Sequence, residues 1–154
     1  MGMLDGFRRL LGGAEIDAEE ALRQAYRDAT ERLELIQGSA AAAPQQASER
    51  ELQRIAELGA AQVEQLATAL RQRKMVVPRA KSAPADPALN HWGRLVRDLE
   101  RHRHAGRTLH DRWIRFNEDD GSLAALFHQL KESCEEQCRA LRTLIARADP
   151  QALP

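Results

Sequence analysis

The strongest constraint on the fold is the spacing of apolar residues, which recur every three or four positions along four long stretches of the chain. This period places them on one face of an α-helix, and each such face needs a partner to cover it. The predicted helices span about residues 16–37, 48–73, 87–118 and 122–147. The sequence therefore predicts an all-α, four-helix bundle that forms one domain over residues 15–147.

The connections between these helices predict the topology. The first and last pairs have short loops, which favour antiparallel hairpins. Between the pairs lies a linker over residues 74–87 that contains Pro78, Pro84 and Pro87. An extended linker of this length reaches more than about 40 Å, and the second helix is only about 36 Å long. We therefore expect a long crossover between two hairpins, with residues 148–154 as a tail.

Several residues predict where the helices begin and end. Asp17 and Ser48 each precede a glutamate by three positions, a pattern that caps a helix N-terminus. Asp86 followed by Pro87 predicts the start of the third helix. Gly38 is predicted to end the first helix.

Residues 1–13 predict a short amphipathic helix ahead of the bundle. Leu4, Phe7 and Leu11 fall on one side, with Arg8 and Arg9 beside them. A helix this short is not stable alone in water, so it must pack on something. The two possibilities are its own bundle, or a membrane surface or partner protein that residues 3–11 would contact.

Composition narrows the class of function. The chain has 23 basic and 23 acidic residues, and this zero net charge argues against general nucleic-acid binding. It contains no secretory signal, and Cys134 and Cys138 are predicted to be free thiols, so we expect a cytoplasmic protein. Twenty Arg against three Lys indicate a GC-rich bacterial genome. No catalytic motif is present, so an enzyme is the less favoured interpretation.

Two helical hairpins joined by a long crossover resemble the ferritin-like superfamily. The resemblance covers about residues 15–147 and lies in the layout. Di-iron members of that superfamily use glutamates and Glu-x-x-His pairs on inner faces. This chain has no Glu-x-x-His, and the inner positions Val63, Leu66, Cys134 and Gln137 provide no carboxylate. The resemblance thus implies either a relative whose iron site is absent or a similar bundle that never had one, and it is greatest to small bacterial ferritin-like domains of unknown function.

One polar cluster is predicted on the inner faces of the third and fourth helices. His102, Cys134 and Cys138 could hold a transition metal such as zinc or iron, although a fourth ligand is missing. The alternative is structural, because buried free cysteines usually act as small hydrophobic residues. Gly106 opposite Cys134 is predicted to let the two backbones approach. Asp98 could orient the His102 ring from one helical turn away.

The third helix has two further features. Trp92 and Trp113 are predicted to be core residues. Five arginines are predicted to form an outward stripe, either for an anionic partner or as a solvated, partly self-paired face. These arginines are Arg94, Arg97, Arg101, Arg112 and Arg115.

The function expected from these patterns is that of a non-enzymatic helical-bundle protein. It would act through protein–protein interaction or self-association as a homodimer, and no catalytic residue or cofactor is assigned. One alternative is a ferritin-like metal-binding or redox protein that uses the His/Cys cluster. The other is an adaptor for a membrane surface or anionic partner, which would use residues 3–11 and the arginine stripe.

Overall fold

The computed structural model describes residues 16–80, 82, 86 and 88–153. Within these ranges the chain forms four α-helices and no strand, which confirms the all-α prediction. The helices are α1 (Ala18–Ala41), α2 (Gln46–Gln72), α3 (His91–Phe116) and α4 (Gly121–Arg147). The predicted N-terminal helix, with Leu4, Phe7 and Leu11, lies outside the described residues.

The helices α1 and α3 are antiparallel neighbours. Arg112, near the end of α3, donates to Gln24 near the start of α1. At the other end of the bundle, Ser39 of α1 donates to Asp98 near the start of α3. The contacts between these two helices therefore extend along most of the bundle.

The helices α2 and α4 are also antiparallel neighbours. Arg73, just past the end of α2, pairs with Asp120 just before α4 at 2.5 Å. The hairpin pairs α1–α2 and α3–α4 pack most closely, and Phe116 stacks on Phe127 at the turn between α3 and α4. Each helix thus has two antiparallel neighbours.

The interior contains two apolar clusters, one toward each end of the bundle. The cluster beside the α3–α4 turn includes Leu22, Leu70 and Phe127, and the cluster at the other end includes Ile36 and Leu141. Each large apolar side chain contributes about 1.5–3 kcal/mol when it is buried, so these clusters provide most of the favourable free energy of folding. Between them, at the middle of the bundle, several buried side chains are polar.

The helix starts differ from the prediction in two of three cases. Asp17 does cap α1, because its side chain accepts the N–H of Glu20 at 2.8 Å. Ser48 does not cap α2, which begins two residues earlier without a side-chain cap. Asn90, not Asp86, caps α3. A capping pattern in a sequence marks a possible start, but packing decides which start is used.

The prediction that Gly38 ends α1 is wrong, since the helix continues to Ala41. Ser39 and Ala40 are both buried in the last turn. Their packing outweighs the roughly 0.5–1 kcal/mol that one glycine costs a helix.

Gly38→Ala should raise the free energy of unfolding by about 0.5–1 kcal/mol, because alanine loses less backbone entropy on folding. The position is exposed, and an added Cβ meets nothing within 4 Å. Gly93→Ala is the comparison, since its Cβ would lie 3.1 Å from the capping Asn90 Oδ1. Urea unfolding should show a higher free energy of unfolding for Gly38→Ala and not for Gly93→Ala. An equal increase in both variants would contradict this prediction.

Candidate functional site

A buried polar layer crosses the middle of the bundle and links three helices. It consists of Arg32 on α1, Gln62 on α2, and Cys134 and Gln137 on α4, and none is more than 3% exposed. Arg32 Nη1 donates to Gln62 Oε1 at 3.2 Å and to Cys134 Sγ at 3.3 Å. Gln62 Nε2 in turn donates to Gln137 Oε1 at 2.8 Å. The layer is a continuous hydrogen-bond network.

The network is closed at its edges by further partners. Arg32 Nε donates to Asp28 Oδ2 at 2.7 Å, and this carboxylate reaches the surface. Gln137 Nε2 donates to the backbone oxygen of Ile55 at 3.0 Å. Because these side chains bond mainly to one another, the layer fixes how the helices are aligned against each other.

No polar residue was predicted on the inner face of α1, but Arg32 and Ser39 are buried there. Gln62 likewise occupies the inner face of α2, while Val63 is only half-buried. The missed signal is the spacing itself. Arg32 follows Ala29 by three residues and precedes Ile36 by four, so it fits the apolar stripe as well as Leu33 does.

His102 is buried beside this layer, as its position on the stripe predicts. Burial, and then the positive charge of Arg32, lower the pKa of His102 to about 4. Its Nδ1 bonds to the backbone oxygen of Asp98 at 2.7 Å. The predicted contact with the Asp98 carboxylate is therefore wrong. The ring is neutral at physiological pH and is held by its own helix.

The Asp98 carboxylate instead joins α3 to α1. It accepts from Ser39 Oγ at 2.5 Å and from Arg97 Nη2 at 3.0 Å. Burial raises the pKa of Asp98, while the Ser39 and Arg97 contacts partly offset this effect. The Asp98 carboxylate therefore connects α3 to α1 through a buried, paired contact.

Both cysteines are buried free thiols, as predicted. Burial raises the pKa of Cys134, and it also raises the pKa of Cys138 together with the proximity of Cys134. Protonated thiols are poor nucleophiles and poor metal ligands. Among the residues that the structure describes, no three His, Cys, Asp or Glu side chains are grouped to hold a metal ion. A metal bound by His102, Cys134 and Cys138 stays a prediction without support from this geometry.

The predicted outward arginine stripe is wrong in its direction. The five arginines are half-buried, and four of them donate to α1 or to the loop that follows it. Arg94 reaches the backbone oxygen of Ala42, Arg97 reaches Ser39, and Arg101 bonds to Glu31 at 2.9 Å. We call Arg94, Arg97, Arg101 and Arg112 the arginine seam.

The arginine seam bonds mainly to side chains of α1. Arg101 pairs with Asp28 and Glu31, and Arg112 donates to Gln24. The remaining member of the predicted stripe, Arg115, pairs with Asp119 on its own chain segment. These side chains therefore stabilise the α1–α3 contact instead of facing a partner.

Two other predictions for α3 are corrected. Trp92 and Trp113 are half-buried rather than core residues, and Lys131 Nζ lies 5.4 Å from the Trp113 ring centroid. A Cβ added to Gly106 would meet nothing within 4 Å, so the backbones do not approach closely there. Gly106 leaves an open space between α3 and α4 instead.

That space is a surface groove of about 680 Å³ between α3 and α4. Its floor includes Gly106 and Cys138. Five basic side chains line its walls, and we call the feature the basic groove; they are Arg103, Arg107, Lys131, Arg139 and Arg142. Among the described residues, two acidic side chains, Asp111 and Glu135, line it as well. The groove therefore has a net charge of +3, from five positive and two negative groups.

The charges in the basic groove are only partly neutralised. Lys131 pairs with Glu135 at 3.5 Å, and Arg103 lies 3.8 Å from Glu100. The other three arginines of the groove make no ion pair with any described residue; they are Arg107, Arg139 and Arg142. The groove therefore has unpaired positive charge in a concave site.

No family model, no characterised protein and no solved structure matches the chain. No helix in the described part of the chain is both long and apolar enough to cross a membrane.

Proposed function

We propose that the protein is a non-enzymatic helical-bundle interaction module whose basic groove binds an acidic segment of a partner protein. The observation that supports this proposal is the presence of three arginines without carboxylate partners along one groove. Guanidinium groups form strong, often bidentate hydrogen bonds with carboxylates. An acidic segment would therefore supply the partners that the bundle itself does not.

The shape of the groove favours a peptide segment over a small enclosed ligand. From Arg103 to Asp111 it follows eight residues of α3, a length of about 12 Å. It is open to solvent along its length, and its exposed arginines can adapt to an extended or helical segment. Nucleic acid fits less well, because the chain as a whole has no basic surplus to displace counterions.

We also propose that the bundle has ferritin-like connectivity, with a crossover between α2 and α3. Two contacts support it. Arg73, directly after α2, bonds to Asp120 at the start of α4, whereas Asn90, directly before α3, bonds to Ala152 beyond the end of α4. The segment between them would then extend along α4, whose 27 residues are about 40 Å long.

Three expectations from the sequence stay predictions. Self-association as a homodimer is the other form that an interaction function could take. Membrane-surface contact would depend on residues 3–11, and the cytoplasm is the expected compartment. The proposed acidic partner does not require any of the three, because the basic groove is formed within one chain.

Charge reversal tests the proposed function. A fluorescently labelled polyglutamate peptide should bind the wild-type protein at low salt. The double variant Arg107→Glu with Arg139→Glu should weaken this binding at least about tenfold, because each charged hydrogen bond contributes about 1.5–3 kcal/mol. The matched control is Arg27→Glu with Arg50→Glu, two exposed arginines on α1 and α2 that make no ion pair with a described residue. Fluorescence anisotropy measures both variants.

The control pair changes the net charge by the same amount, so only a local effect distinguishes the two variants. Equal weakening by both pairs would show that binding follows the overall charge, and the proposal would fail. Tighter binding of a single-stranded DNA oligonucleotide or of phosphatidylserine vesicles than of polyglutamate would also contradict an acidic protein partner.

A further inference from the structure

A second cavity opens between α1 and α3, away from the basic groove. Its volume is about 160 Å³, and side chains from all four helices line it. Three alanines, Ala21, Ala25 and Ala105, face it from α1 and α3. Leu66 from α2 and Leu130 from α4 form its inner wall. The cavity exists because alanines occupy positions where larger side chains would fill the bundle.

The size of this cavity matches a small organic molecule. An apolar protein cavity of about 150 Å³ binds benzene. A ring or a chain of about six carbons would therefore fit among the alanine and leucine side chains. Gln24 and His104, which also line the cavity, are exposed, so the cavity has a route to solvent.

The polar wall of the cavity has an unbalanced positive charge. Arg32 forms an ion pair with Asp28. Arg101, just outside the cavity, pairs with Glu31 and Asp28. Arg112 lines the cavity and makes no ion pair with any described residue; it donates to the Gln24 amide oxygen at 3.3 Å.

The environment of Arg112 also disfavours its charge. Burial lowers the pKa of Arg112, and attraction to the neighbouring Asp111 only partly offsets this effect. A carboxylate at the cavity wall would provide the counter-charge that the half-buried guanidinium lacks.

We propose that this cavity binds a small monocarboxylate with an apolar body of about six carbons. The carboxylate would bond to the Arg112 guanidinium, and the body would pack between Ala25, Ala105 and Leu66. This site goes beyond the proposed function, because it lies between α1 and α3 and shares no residue with the basic groove.

Ligand-observed and protein-observed NMR with benzoate test the proposal. Benzoate should give nuclear Overhauser contacts to the methyl groups of Ala25 and Ala105, and it should bind more tightly than uncharged benzyl alcohol. Arg112→Gln should weaken benzoate about tenfold or more but leave benzyl alcohol unchanged, since a charged hydrogen bond is lost. Arg107→Gln removes the same charge from the basic groove and should change neither.

Ala25→Leu should abolish the binding of both compounds by filling the cavity. If that variant does not fold, the wild-type contacts and the Arg112→Gln comparison still decide the question. Benzoate contacts only at the basic groove, no contact at millimolar benzoate, or equal affinity in wild type and Arg112→Gln would each overturn the proposal.

Discussion

Gln62→Leu should lower the free energy of unfolding by about 3 kcal/mol, because it leaves buried polar groups without partners. In the native protein Gln62 accepts from Arg32 and donates to Gln137 and to Ser133 Oγ, the last at 2.8 Å. Leucine has nearly the same volume but can replace none of these bonds. The Gln137 amide oxygen and one guanidinium nitrogen of Arg32 would lose their best partners in the core.

The matched control is Gln65→Leu on the same helix. Gln65 is exposed, so its replacement should change stability by less than about 0.5 kcal/mol. Urea unfolding followed by circular dichroism measures both. If Gln62→Leu were neutral or stabilising, the buried polar layer would not hold the helices together. Apolar side chains at the middle of the bundle would then give the same stability.

Acidification should destabilise the protein through His102. Its pKa is about 4 in the folded protein, against about 6.5 in an unfolded chain. The folded pKa is depressed, so between these values the unfolded state binds more protons and stability falls as the pH falls. Lowering the pH from 7 to 5 should remove about 2 kcal/mol through this residue.

The comparison variant for this effect is His102→Gln, which cannot take up a proton. Asp98 acts in the opposite direction, because its raised pKa favours the folded state as the pH falls. His91, whose pKa burial lowers, contributes in the same direction as His102. Both residues are present in both proteins, so the difference between the two stability profiles isolates His102. Parallel profiles from pH 7 to 5 would contradict the buried neutral imidazole.

The helices were predictable because apolar spacing reports which face is buried. Leu52, Ile55, Leu66 and Leu70 fall on one apolar stripe of α2, and all four are buried. Helix ends were less predictable, since a pattern such as Ser48 with its following glutamate contributes only about 1 kcal/mol and packing can override it.

The site was harder to predict than the fold. Charged residues are assigned to the surface by default, and Arg32 is an exception because Asp28, Gln62 and Cys134 surround its guanidinium. Asp28 is one helical turn away, but Gln62 and Cys134 are 30 and 102 positions away in sequence, and spacing does not show that they meet Arg32. The arginine seam was misplaced for a related reason. A long side chain at the edge of a helix can turn toward its neighbour, and the spacing of residues does not show this.

The proposal of an acidic partner for the basic groove has a direct test by NMR. Isotope-labelled protein is titrated with polyglutamate peptide, and the backbone amide signals that shift are mapped on the structure. We expect shifts grouped at Arg103–Arg107 on α3 and at Lys131–Arg142 on α4, and these shifts should disappear in high salt. Shifts confined to α1 and α2, or no shifts at low salt, would contradict it.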